Sequence, residues 1–153
     1  MKKILPLTIA TLVLLSGCVV VMPAAQRAAA TDGSLTPEQS IQLAAKAAPE
    51  GVRGTFAMLV QATGTQNNRV FLNSELDYRD QRNLTISLTD RAARQLAKKL
   101  GADPLVALKG REIMVNSSAV RTKIFFVVDG RMTDKYYYQT HVNIADSDQI
   151  TIQ

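Results

Sequence analysis

The sequence predicts a mainly β fold with helices: a five-stranded barrel with one helix between its third and fourth strands, preceded by a separate N-terminal helix. Three observations predict it. Leu84-Thr85-Ile86-Ser87-Leu88-Thr89 alternates apolar and hydroxyl residues, the period of two that a half-buried strand requires. Two well-marked helix patterns each carry a capping residue in front and a Pro or Gly stop behind. Runs rich in β-branched and aromatic residues, punctuated by Gly and Asn, fill much of the remainder.

Ahead of these elements stands an export signal. Lys2 and Lys3 precede the apolar run Ile4 to Leu15, and Leu15-Ser16-Gly17-Cys18 provides a small-residue cleavage point. Broken by Pro6, the run falls short of the about 20 apolar residues a spanning helix needs. The four residues ending at Cys18 resemble the lipobox of bacterial lipoproteins. That resemblance implies cleavage before Cys18, a diacylglycerol with palmitate-type chains on its sulfur, and so a membrane anchor. Val19 rather than aspartate follows the cysteine, which in such lipoproteins implies the outer membrane, with the body facing the periplasm. An ordinary signal peptide with an incidental thiol is the plain alternative. Cys18 is the only cysteine, so no intramolecular disulfide is available and stability has to come from a core.

The chain therefore divides into a signal peptide (1–17), a lipidated tether (18–34), an N-terminal helix segment (35–50) and a barrel domain (51–153). The tether is small and apolar with no sustained amphipathic period. Thr36-Pro37-Glu38-Gln39 supplies a cap, a first-turn proline and a capping-box glutamine, and the helix should run from Pro37 to Ala48 before Pro49 and Gly51 stop it. Val52 to Thr63 reads as one loosely alternating strand, with Gly64 and Asn67-Asn68 as turn material before a second strand, Arg69 to Asn73. A charged loop, Asp77 to Asn83, leads to the alternating strand at Leu84.

Asp90 is the expected cap of a helix from Arg91 to Leu100, and Gly101 suits its left-handed end. Asp103-Pro104 begins a short turn or helix to Leu108. Arg111 to Val115 starts a strand that resumes after Asn116-Ser117-Ser118 and runs to Val128. After the Asp129-Gly130 turn, the last long strand is expected from Tyr136 to Ile144, with Gln149 to Gln153 as a terminal edge.

Three strands, a helix and two long strands match the order of the OB barrel. Phe71-Leu72-Asn73, Asp77-Tyr78-Arg79, Leu108 to Ile113 and Asp146 to Ile150 resemble a bacterial OB-fold family of the nucleic-acid-binding type, over roughly a hundred residues by the usual size of such a domain. The stretch Phe125 to Tyr138 departs from that family's pattern as a long insertion. The resemblance implies a ligand-binding barrel face.

Charge argues against a strongly basic nucleic-acid binder. Loss of Lys2 and Lys3 with the signal lowers Lys plus Arg from 18 to 16 against 13 acidic residues. Signals for catalysis are sparse, and no cofactor or metal is called for. The sole histidine, His141, is expected to face solvent without a role, on the strand face of Tyr137, Gln139 and Asn143. Tyr136, Tyr138, Val142 and Ile144 are expected on the core face. A thermonuclease-like hydrolase would need a carboxylate cluster with arginines, and Glu75, Asp77, Asp80, Arg79 and Arg82 have those types. Packed in one loop, they read more simply as a hydrated turn whose charges neutralise one another.

The expected product is a non-enzymatic binding module. Arg69, Tyr78, Arg79, Arg82, Arg121, Lys123 and Tyr137 are the candidate ligand-binding residues, since single strands are held by cations and stacked rings. Phe71 is a weaker member, outward only if its strand is regular. Expected partners are the membrane through Cys18, an envelope protein or glycan, or single-stranded nucleic acid, the last implying a role in DNA uptake or transfer.

Overall fold

A computed structural model describes residues 33–153. The signal, Cys18 and the tether as far as residue 32 lie outside the described residues. The fold is mainly β with a few helices. Among the described residues no helix is long and apolar enough to cross a membrane.

Helix α1 (Pro37–Ala47) starts as its sequence dictates. Thr36 Oγ1 accepts from the Gln39 amide at 3.3 Å, and Gln39 Oε1 accepts from the Thr36 amide at 2.9 Å. It buries Ser40 and Ala44. The first expected strand is two strands, β1 (Val52–Leu59) and β2 (Ala62–Gln66), so Gly64, expected in a turn, lies mid-strand and pairs with Phe71. Val60 and Gln61 divide them by changing partners. Val60 exchanges main-chain bonds with Gly110 and Arg111, at 2.8 and 2.9 Å, whereas the Gln61 amide donates to Asn73 O at 2.9 Å. β1 thus lies along β5 (Glu112–Val128), and β2 along β3 (Arg69–Asn73).

The Asn67-Asn68 turn has φ of 50° and 58°, the left-handed pair that a two-residue hairpin demands and asparagine tolerates. β4 (Leu84–Leu88) is buried on both faces rather than one. It lies between β3 and β6 (Arg131–Ile144), and neighbouring polar side chains cover the expected solvent face, leaving Thr85 and Ser87 at 3% and 1% exposure. Helix α2 (Asp90–Leu100) is capped by Thr89, one residue earlier than expected. Thr89 Oγ1 accepts from the Ala92 amide at 3.2 Å, while Asp90 pairs with Arg94 on the first turn. Thr89→Ala is expected to lose about 1 kcal/mol in urea denaturation, whereas Asp90→Ala should lose less than half of that. Gly101 ends the helix at φ 65°, and α3 (Pro104–Ala107) follows.

β5 is continuous through Asn116-Ser117-Ser118, because each of the three pairs with β1. The Asp129-Gly130 turn, both residues at positive φ, joins it directly to β6. The stretch Phe125 to Tyr138 is therefore the distal half of one long hairpin, with an irregularity between Phe125 and Val127. A 3-10 turn (Ser147–Gln149) leads to β7 (Ile150–Ile152), the expected terminal edge, which pairs with β5.

The strands form one open mixed sheet of seven, ordered β1-β5-β6-β4-β3-β2 with β7 on β5. The expected number was five. The break at Val60-Gln61 and the addition of β7 account for the difference. Among the described strands β4 and β6 alone pair in parallel, and Leu35 adds an isolated parallel bridge to Phe56. Phe56, Met58, Leu72, Leu84, Ile86, Val142 and Ile144 fill the core, fully buried or nearly so. Alternate residues on β3, β4 and β6 point the other way and make the site.

Candidate binding cleft

A cleft of about 510 Å³ lies over the outward face of β3, β4 and β6. β3 contributes Phe71 and Asn73, β4 Thr85, and β6 Tyr137, Gln139 and His141. Leu76 and Tyr78 from the loop after β3 wall one side, and Ile124 of β5 another. Because β3 is regular, Phe71 points outward opposite Leu72 and belongs to the cleft more firmly than its weaker rank implied.

Polar side chains lock the floor. Asn73 Oδ1 accepts from Thr85 Oγ1 at 3.0 Å and from Asn83 Nδ2 at 3.1 Å. Gln139 Nε2 donates to Tyr137 Oη at 3.1 Å and to Tyr78 O at 3.0 Å, tying the loop to β6. With its amide nitrogen so used, Gln139 Oε1 faces His141 Nε2 at 2.8 Å. The network therefore assigns the Nε2–H tautomer to His141 and leaves Nδ1 as an acceptor.

His141 does not face solvent. It is half-buried against Phe71, edge to face with centroids 6.4 Å apart. Burial, with the Arg69 charge second, pulls its pKa from the ordinary 6.5 down to about 4. The neutral ring is favoured in the folded state, so its contribution is complete above pH 6.5 and is lost as pH falls from 6.5 toward 4. Between pH 7 and pH 5 the expected loss is about 2 kcal/mol. Urea denaturation at both pH values, compared with His141→Phe, checks it. The variant should lack this slope, and an equal slope in both proteins would refute the assignment.

The candidate residues divide between places. Tyr78 and Tyr137 line the cleft, and burial raises the Tyr137 pKa above its usual value. Arg79 stacks on Tyr78, its guanidinium carbon 4.7 Å from the ring centroid. Arg69 lies on the same sheet face but donates to Ser87 Oγ at 2.8 Å and to Asn143 Oδ1 at 3.1 Å. Arg82 forms a two-pronged pair with Asp80, at 2.8 and 3.1 Å, and holds that carboxyl at about 2. Arg121 and Lys123 belong elsewhere. They lie over Tyr138 and Tyr136, at 3.8 and 4.3 Å from the ring centroids. Arg121 helps line a second cleft, of about 500 Å³, with Ile41 and Ala45 of α1.

Tyr136 and Tyr138 are 47% and 39% exposed rather than core residues. Their half of the hairpin extends past the strands that would have covered them. Among the described residues no grouping of His, Cys, Asp and Glu is arranged to hold a metal ion. Sequence reasoning missed Asn73, Asn83 and Thr85, and set Gln139 on the right strand face without giving it a role. Polar residues alternating out of phase with Leu72, Ile86 and Val142 were the available signal.

No family model and no curated protein matches the chain. Among solved structures, an aspartyl tRNA synthetase from Entamoeba histolytica is similar at 13% identity and a TM-score of 0.41. The likeness covers 98% of this chain but only 28% of that one. So distant a likeness carries no inference about function.

Proposed function

We propose that the chain is a membrane-anchored envelope lipoprotein whose β domain is a non-enzymatic OB-type module holding its ligand in the cleft. The fold part of this reading takes β1 and β2 as two halves of one bent strand. Five strands then remain beside β7, with α2 between the third and fourth and a parallel pairing of third and fifth. The anchor part rests on Leu15-Ser16-Gly17-Cys18, with Val19 favouring the outer membrane and a periplasmic body. One observation carries the binding reading. The rings of Phe71, Tyr78 and Tyr137 stand beside amides, hydroxyls and a neutral imidazole, with no lysine, arginine or carboxylate among the lining side chains. Such a surface recognises shape and hydrogen bonds.

A nucleic-acid-binding lipoprotein acting in DNA uptake or transfer is the second reading, favoured by Arg79 stacked on Tyr78 at the cleft. Fluorescence anisotropy of labelled single-stranded DNA and RNA with the full chain in detergent micelles separates the two. Phosphate contacts weaken steeply with salt. Binding that survives physiological salt and falls with Arg79→Ala would move the conclusion to the second reading. Cleavage of the strands that stops with chelator and with Asp77→Ala would overturn the non-enzymatic reading. Labelling with radioactive palmitate tests the anchor, and the label should be absent from Cys18→Ser.

A further inference from the structure

We propose that the distal part of the β5–β6 hairpin is a docking arm for an anionic phospholipid surface. The anchored reading supplies that surface, and the cleft plays no part. Seven of the eleven large apolar or aromatic side chains exposed among the described residues belong to this one hairpin, between Phe125 and Tyr138. Such residues scattered singly are ordinary, whereas a cluster marks an interaction surface. Val127, Val128 and Met132, near the turn, are 62%, 58% and 70% exposed. The flanking strands stop short of them. β1 pairs along β5 no further than Ala119, and β4 along β6 no further than Thr140.

The side chains behind the turn are those of a membrane–water boundary. Phe125, Tyr136 and Tyr138 form one run of edge-to-face rings, with successive centroids 6.0 and 5.5 Å apart. Lys123 Nζ lies 4.3 Å from the Tyr136 centroid, and the Arg121 guanidinium carbon 3.8 Å from that of Tyr138. Neither cation has a carboxylate partner among the described residues. Rings with long cations beside them suit the headgroup level, where the rings meet the acyl boundary and the cations meet phosphate. Along the arm Arg121, Lys123, Arg131 and Lys135 outnumber Asp129 and Asp134, which favours a negative surface. Asp129 and Arg131 flank Gly130 in the turn, so the arm lies along the boundary instead of piercing the hydrocarbon. The anchor approaches from the same side of the sheet. The chain leads from the tether into α1, whose Ile41 and Ala45 share a cleft with Arg121, Tyr136 and Tyr138. From Cys18 to Gly33 the chain can span at most about 50 Å, so a bilayer holding Cys18 stays within reach of the rings.

The chain has no tryptophan, so a single introduced one reports its own surroundings. The test places Val127→Trp in the full chain, reconstituted from detergent micelles into vesicles of equal parts phosphatidylcholine and phosphatidylglycerol. Val106→Trp on α3, at a site 76% exposed and outside the hairpin, is the comparison. Urea midpoints matching the parent confirm that both variants fold. Bromine on the phosphatidylcholine chains quenches an indole that reaches the acyl boundary. The expected result is at least about twofold quenching of Val127→Trp and none of Val106→Trp, since an interfacial segment lies about 5–10 Å into that boundary. Adding Lys123→Glu to Val127→Trp should reduce the quenching at least about twofold, because a cation facing the anionic lipid is reversed. Equal quenching of the two tryptophans, or quenching of neither, overturns the contact with lipid. If single-stranded DNA alters the emission of Val127→Trp and brominated lipid does not, the arm belongs to nucleic acid and the lipid assignment fails. Palmitate labelling reads the anchor separately. Label present with Val127→Trp unquenched sinks the arm and leaves the anchor standing, whereas label absent from a chain that does not float with the vesicles sinks both.

Discussion

Replacing Asn83 with alanine should cost about 2–4 kcal/mol of stability and release Tyr78 from the cleft. Asn83 is 1% exposed and is the buried hub of the loop between β3 and β4. Its Nδ2 reaches Thr85 Oγ1 at 2.9 Å, Asn73 Oδ1 at 3.1 Å and Tyr78 O at 3.3 Å, and its Oδ1 accepts from the Glu75 amide at 3.0 Å. Alanine leaves the Glu75 amide without this acceptor and cuts the side-chain tie to Tyr78 O, at a residue 1% exposed. Urea denaturation gives the energy. NMR shifts of Tyr78 and Tyr137 give the consequence for the cleft. A loss below about 1 kcal/mol with unmoved tyrosine signals would mean that the loop holds its shape without this amide.

Gly51→Ala is expected to cost about 3–5 kcal/mol, enough to unfold a marginal domain. Gly51 has φ of 84°, where a side chain is strained. A Cβ there would come within 2.7 Å of Ala119 O and 2.8 Å of Val120 Cγ2. The carbonyl cannot retreat, because Ala119 is fully buried and paired on both sides, with Val52 and with Val142. Gly101→Ala supplies the contrast. Its φ is also positive, at 65°, but nothing lies within 4 Å, so only about 1 kcal/mol of backbone strain remains. Similar midpoints for the two variants would show that the Ala119 contact is unimportant.

What was legible in the sequence follows from how local each signal is. The Thr36 capping box, the Asn67-Asn68 turn and the alternation at Leu84 act through neighbouring residues, and all three are present. The break at Val60-Gln61 was hidden because it depends on Gly110, Arg111 and Asn73, which no local pattern connects to it. The cap at Thr89 was misplaced by one residue because threonine and aspartate can both cap, and the choice depends on where β4 ends. At the site, the grouping of Tyr137, Gln139 and His141 on one strand face was readable from period two alone. The burial of His141 was not, since it comes from Phe71 across the sheet. The candidate cations were scattered for the same reason. Residue type marks what a ligand would like to meet, while strand register decides which side of the sheet each residue occupies.

The parallel pairing of β4 with β6 also sets the timing of folding. Two-residue turns let β2 with β3, and β5 with β6, close within about 1–10 μs. β4 has to wait, because Leu84 meets Thr140 only after α2, α3 and the whole distal hairpin have been formed or looped out. Until then, one edge of the most buried strand in the molecule stays bare, with Ile86 and Leu88 beside it. A nascent molecule in that state is a template for its neighbours, and crowded refolding should therefore lose material to aggregation at the step that docks β6.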